Sequence, residues 1–319
     1  MEKAKRNTAD SFAKEKEMRQ QVNTMKNEIV RLKPECIDCL LKHHLNVAPE
    51  GTDTKTKLKY MKGLMQVIVD AKLEDSAPTL NPAIHKLQKD MFGMVLYDYT
   101  EIKKHYNELM MEKVPEIEKA ILTSEEPLKL AIQYAMTGNY IDFGAVDNVN
   151  ENDLNKYLMA AKDISVNEEE YVSLKNDIKK AKSLVYLTDN CGEVVMDKLF
   201  IEEIGRQNPE LHITVIVRGE EVLNDATIAD AEQIGLTDIV KVIGNGSGIA
   251  GTSMSDISKE ALELMEQADV LIAKGQGNYE TLQNCGLNVY YLFLCKCMMF
   301  ANRFLVPQFT GMLINDRNC

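Results

Sequence analysis

Apolar residues recur at helical spacing through the first half of the chain and gather into short continuous runs in the second. Pro34 suits the first turn of a helix, where its missing N–H is not needed. Cys36, Ile37, Leu40 and Leu41 then share one face. The spacing returns in Tyr60, Met61, Leu64, Val67 and Ile68, in Ile102, Tyr106, Leu109 and Met110, and in Leu128, Ala131, Ile132 and Ala135. Breaks are expected near Pro78, Pro82, Pro115 and Pro127. After Lys180 the period changes. Apolar runs at 184–187, 213–217, 239–243, 270–273 and 289–294, with a last one at 312–314, are separated by helical stretches. Continuously apolar strands joined by helices predict an α/β fold with a doubly wound, mostly parallel sheet covered on both faces. Three regions follow. Residues 1–33 read as a basic amphipathic helical extension, residues 34–180 as a helical region packed on the sheet, and residues 181–319 as the α/β domain.

Composition narrows the function. The 319 residues are 45% hydrophobic and 27% charged, an ordinary globular balance. Lys+Arg is 37 and Asp+Glu is 49, a net charge of −12. Such a field repels phosphate backbones and anionic membranes, so neither nucleic acid nor membrane is the expected partner. Residues 1–33 depart from this, with nine Lys/Arg against five Asp/Glu. No apolar run reaches the ~18–20 residues of a membrane span, and the start lacks the apolar stretch of a signal peptide. Seven cysteines, an odd number, do not make a disulfide framework. The expected location is the reducing cytoplasm.

In a doubly wound sheet, ligands bind beyond the carboxyl ends of the strands. The first run ends in Thr188-Asp189-Asn190-Cys191-Gly192-Glu193. Asp189 and Asn190 offer hard oxygen ligands, and Glu193 opens a helix. The bland alternative is a helix cap with a first-turn acid. The second run leads to Asn224-Asp225-Ala226-Thr227, where Asp225 is either a second ligand or an N-cap. The third opens into a loop whose Gly246, Gly248 and Gly251 fit G-x-G-x-x-G, but in the wrong unit for a dinucleotide fingerprint. The fourth ends in Lys274-Gly275-Gln276-Gly277-Asn278, which reads as a lysine clamp for phosphate or as a solvated loop. The fifth ends in Cys295-Lys296-Cys297. Metal ligands facing a lysine fit phosphoryl chemistry. No D-x-D nucleophile motif is present, because position 191 is Cys. A water on the metal is the expected attacker, assisted by Glu193 or a neighbour.

These strings, in this order, resemble the damage-control phosphatase family, a former domain-of-unknown-function family grouped with acidic-residue carboxyl methyltransferase proteins. The resemblance rests on the strings beginning at Asp189, Asn224, Lys274 and Lys296. It rests also on Gly138-Asn139-Tyr140-Ile141-Asp142-Phe143-Gly144 and on Cys36-Ile37-Asp38-Cys39, the C-x-x-C of the prokaryotic-type branch. It implies a helical region packed on an α/β domain, with metal-dependent hydrolysis of small phosphate esters such as sugar phosphates or phosphopantetheine-like compounds. It assigns Asp189, Asn190 and Asp225 to a divalent cation (Mn²⁺, Mg²⁺, Co²⁺ or Ni²⁺). Lys274, with Gly275 and Asn278, goes to the phosphate, and Asn139 and Asp142 approach the same pocket. Two other readings stand beside it. One is an S-adenosylmethionine-dependent carboxyl methyltransferase, drawn from the glycine loop and the family's history. The other is a non-catalytic metabolite sensor. Cys36 and Cys39 read as buried small residues, a redox pair, or half of a zinc site completed by His43, Cys295 or Cys297.

Overall fold

A computed structural model describes residues 29–96, 98–141 and 150–318. The helix expected within residues 1–33 lies outside them, apart from 29–33. Those residues are irregular and tie down through Leu32 N–H to Asp75 O at 2.8 Å.

Eight α-helices are described before residue 181: α1 Pro34–His44, α2 Thr54–Val69, α3 Asn81–Phe92, α4 Thr100–Met111, α5 Val114–Leu122, α6 Pro127–Gly138, α7 Glu151–Met159 and α8 Glu168–Lys180. Pro34, Pro82, Pro115 and Pro127 all fall at first-turn positions, so these prolines start helices as well as end the preceding segments. Asp53, Asn150 and Asn167 cap α2, α7 and α8 by accepting from first-turn N–H groups.

Six strands follow: β1 Ser183–Leu187, β2 His212–Val217, β3 Lys241–Gly244, β4 Val270–Lys274, β5 Val289–Leu294 and β6 Gly311–Asn315. They form one sheet in the order β3-β2-β1-β4-β5-β6. The first five are parallel, and β6 pairs antiparallel with β5. The expected run at 239–243 starts two residues late. Ile239 and Val240 N–H groups are held by Leu236 O in a turn before β3.

Alternate residues of each strand enter different cores, as the two-residue period requires. Leu184, Tyr186, Val215, Val217, Ile272 and Leu292 pack against α4, α5, α6, α7, α8 and the helix α9 Glu193–Gln207. Val185, Leu187, Ile216, Leu271, Ala273 and Phe293 pack against α11 Lys259–Gln267, α12 Gly275–Leu282 and α13 Met298–Phe304. The short helix α10 is Ile228–Gln233. The first core runs across residue 180, so the helices from Thr100 onward and the sheet share one interior. No helix among the described residues is long and apolar enough to cross a membrane.

A smaller core of Leu64, Leu80 and Ile84 joins α2 and α3. Beside it, Tyr60 OH meets His44 Nδ1 at 2.9 Å, and Gln88 Nε2 donates to Tyr60 OH at 3.0 Å. Burial pushes His44 down from 6.5 to about 4, with His43 and His85 adding repulsion. The folded pKa lies below the unfolded one. The neutral ring therefore stabilises the fold above about pH 6.5, and that contribution is lost as pH falls toward 4. The loss by pH 4 is about 3 kcal/mol. Urea denaturation between pH 7 and 4 should fall less steeply in His44→Gln than in the wild-type chain; equal slopes would contradict this.

Candidate active site

The chain leaves β1 toward β2 and β3, then returns to β4 on the other side of β1. The sheet's switch point therefore lies between β1 and β4, where strand ends diverge and leave a crevice. Asp189 follows β1 there, and Lys274 ends β4.

Backbone pairing sets the frame. The segment after β2 folds back antiparallel beside residues 189–191. Asn190 and Asp225 bridge, Ala226 N–H donates to Asp189 O at 2.7 Å, and Cys191 N–H donates to Asn224 O at 2.8 Å. Two consecutive βα units thus bring Asp225 beside Asp189 and Asn190. Helix capping does not account for Asp225: the N-cap of α10 is Thr227, in a capping box with Asp230. Asn107 of α4 steadies the turn from below. Its Oδ1 accepts from Gly192 N–H at 2.6 Å, and its amide donates to Asp230 and Gln233.

The side chains form one hydrogen-bonded cluster. Asn139, at the end of α6, donates to Asp189 Oδ2 at 3.1 Å and to Glu193 Oε2 at 2.7 Å, and its Oδ1 accepts from Leu294 N–H. Asn190 Nδ2 donates to Asp189 Oδ2 at 2.7 Å and to Glu193 Oε2 at 3.2 Å. Arg218 Nε donates to Asp225 Oδ2 at 2.6 Å, and its Nη2 lies 3.5 Å from Asp189 Oδ1. Asn278 donates to Thr188 O and Lys274 O, and its Oδ1 accepts from Thr252 and Arg218.

Lys274 departs from the expected clamp. It is fully buried, and its ammonium donates to Glu193 Oε1 at 2.6 Å, Asp197 Oδ1 at 2.5 Å and Ala135 O at 3.0 Å. An ammonium has three N–H donors, and all three are used. Lys274 lies in the floor, as the counter-charge to two carboxylates. Burial opposes its charge, but Asp197 and Glu193 outweigh that and raise its pKa. Burial likewise pushes Asp197 up, against the pull of Lys274. Tyr186 OH donates to the same Asp197 oxygen at 2.8 Å.

Gly275 has a steric task. Its φ is +77°, and a Cβ there would lie 1.9 Å from Asp189 Oδ2. The glycine loop after β3 is no fingerprint either. The next helix begins at Lys259, capped by Ser258. A Cβ on Gly251 would lie 2.6 Å from Gly277 O, so these glycines let two loops touch.

The structure therefore gathers Asp189, Asn190, Glu193, Asp225, Lys274, Gly275, Asn278 and Asn139 in one buried cluster at the switch point, while Asp142 lies outside the described residues. Arg218, Asp197, Tyr186 and Asn107 join them without having been singled out. Glu193 and Asp197 sit four apart on α9, a spacing that puts both on one face and is visible in the sequence. Asn107 carries no such signal. Cys36 is half-buried and Cys39 exposed, and burial pushes the Cys36 thiol up to about 11. Among the described residues, no group of three or more His, Cys, Asp or Glu is placed to hold a metal, so the zinc completion through His43, Cys295 or Cys297 does not assemble.

Residues 32–310 match the damage-control phosphatase ARMT1-like domain. A protein of Methanocaldococcus jannaschii, described as uncharacterized, is 31% identical over 86% of this chain and 92% of its own. Damage-control phosphatases of Pyrococcus horikoshii and Archaeoglobus fulgidus are each 30% identical. They cover 91% and 84% of this chain, and 99% and 93% of their own. The crystal structure of a DUF89 family protein from Pyrococcus horikoshii aligns with a TM-score of 0.74 at 26% identity, over 90% of this chain and 99% of that one.

Proposed function

The chain belongs to the ARMT1-like damage-control phosphatase family, and from that premise we propose that it is a metal-dependent phosphatase hydrolysing phosphate monoesters of small metabolites. Family membership supports a phosphatase role in metabolite repair. The divalent cation rests on the side-chain cluster, and the sugar-phosphate or phosphopantetheine-like substrates rest on the family resemblance.

One observation carries the cation reading. Among the described residues, four buried carboxylates, Asp189, Glu193, Asp197 and Asp225, pair with two buried cations, Lys274 and Arg218. The acids outnumber the cations even with Asp197 protonated, as its burial favours, and uncompensated charge in a protein interior is expensive. A divalent cation restores balance. Asp189 and Asp225 supply carboxylates and Asn190 an amide oxygen, a hard donor set that suits Mg²⁺, Mn²⁺, Co²⁺ or Ni²⁺ better than a thiolate metal. When bound, such a cation neutralises phosphoryl oxygens and acidifies water.

The chain's own residues do the rest. Asn139 and Asn190 donate to Asp189 Oδ2, which fixes the carboxylate's orientation. Glu193 has each oxygen engaged, one by Lys274 and the other by the two asparagines. It therefore acts as a positioning residue for Asn139 and Asn190. Lys274 holds Glu193 and Asp197 in place from beneath, and Asn278 locks the β4 turn to β1 through Thr188 O. Gly275 leaves the space that the Asp189 carboxylate occupies.

The test is phosphate release from a panel of sugar phosphates and phosphopantetheine-type esters, with each of the four cations. Cation-dependent release from at least one ester class is expected. Release that is indifferent to cation, or none from any ester, contradicts the reading.

A further inference from the structure

Arg218 follows β2 at the same edge of the sheet and is 1% exposed. Its backbone N–H donates to Ala226 O at 2.9 Å, which pins the residue beside the Asp225 segment. Its guanidinium spans both acids of the crevice. The Nε contact to Asp225 is short at 2.6 Å, whereas Nη2 stands 3.5 Å from Asp189 Oδ1 and Nη1 stands 3.4 Å from Asn278 Oδ1. Among the described residues, Nη2 is buried without a hydrogen-bond partner. A guanidinium keeps its charge at any working pH and carries five donors in a planar fork. Here that fork is firmly held at one end and under-used at the other. Lys274, the other cation of the cluster, has no donor left for an ester.

We propose that Arg218 is an internal counter-ion of the Asp189–Asp225 pair that competes with the divalent cation and, once the cation holds those carboxylates, offers its fork to the phosphoryl group of the substrate. The inference rests on the metal reading above. It adds a residue with two linked tasks. Arg218 keeps two neighbouring carboxylates from repelling each other before the cation arrives. Afterwards it supplies the bidentate donor geometry that a phosphate accepts. The two tasks give opposite signs on mutation. Losing the competitor strengthens cation binding, while losing the fork weakens phosphate binding. A residue that only supported the fold would weaken both.

The experiment is calorimetry on the full, metal-stripped chain, titrated first with Mn²⁺ and then, loaded, with inorganic phosphate. Arg218→Gln is expected to bind Mn²⁺ about tenfold more tightly than wild type and phosphate about tenfold more weakly. Arg218→Lys, which keeps charge and loses the fork, is expected to keep wild-type Mn²⁺ affinity and to bind phosphate less well. Mn²⁺ binding that is unchanged or weaker in Arg218→Gln, with normal binding in wild type, overturns this proposal and leaves the metal reading intact. No Mn²⁺ binding in wild type overturns both. If Arg218→Gln does not fold, ¹⁵N-arginine-labelled wild type carries the test. The Nε–H signal that disappears in Arg218→Lys is expected to shift with Mg²⁺ and again with phosphate, and a signal unmoved by either overturns the proposal.

Discussion

Lys274→Met is expected to destabilise the chain by at least about 3 kcal/mol, the scale on which removing one partner of a buried ion pair is felt. The substitution keeps most of the side-chain volume and removes the ammonium that Glu193 and Asp197 share. Both carboxylates are fully buried, and among the described residues Asp197 Oδ2 has no hydrogen-bond partner even in the intact cluster. Denaturant unfolding of the two proteins measures the effect. Adding Asp197→Asn to Lys274→Met should recover part of the loss, because it removes one of the two stranded charges. An unchanged midpoint in Lys274→Met would mean that Lys274 is a mobile surface-facing group, as a lysine between a strand and glycines first suggests.

Asp189→Ala is expected to lower phosphate release by about 10²–10³-fold or more, the range for losing one charge-stabilising group at a reacting centre. The fold should survive. Asn139 and Asn190 retain Glu193 Oε2 as an acceptor, and Arg218 retains Asp225. Circular dichroism and thermal melting separate the two effects. An active Asp189→Ala would remove the crevice from the chemistry, and an unfolded one would show that the carboxylate is chiefly structural.

Much of this architecture is legible in the sequence, for reasons particular residues make plain. The runs that became β1, β2, β4 and β5 are continuously apolar because both sheet faces are covered, as the two cores on Tyr186 and Val185 demonstrate. The strand-end acids stand out because a carboxylate after an apolar run has no packing reason to be there. Strand order is not legible: nothing in residues 241–270 says that the chain crosses from β3 back past β1 to β4, so the switch point is hidden. The burial of Lys274 is hidden too, since its partners arrive from α9 and from Ala135 of α6, far away in sequence. Arg218 was open to the strand-end rule applied to Lys274, but its pairing with Asp189, which lies in the preceding βα unit, has no local signal. The glycines of residues 244–251 mislead because close loop packing and phosphate cradling ask for the same residue.

The proposed phosphatase depends on a divalent cation held by Asp189, Asn190 and Asp225. The most direct measurement is phosphate release by the metal-stripped full chain before and after adding back Mn²⁺, with Asp225→Ala alongside, on the best ester of the panel. Near-silence without cation, restored turnover with it, and no restoration in Asp225→Ala are expected. Equal turnover by stripped and loaded protein, or full restoration in Asp225→Ala, would contradict that dependence.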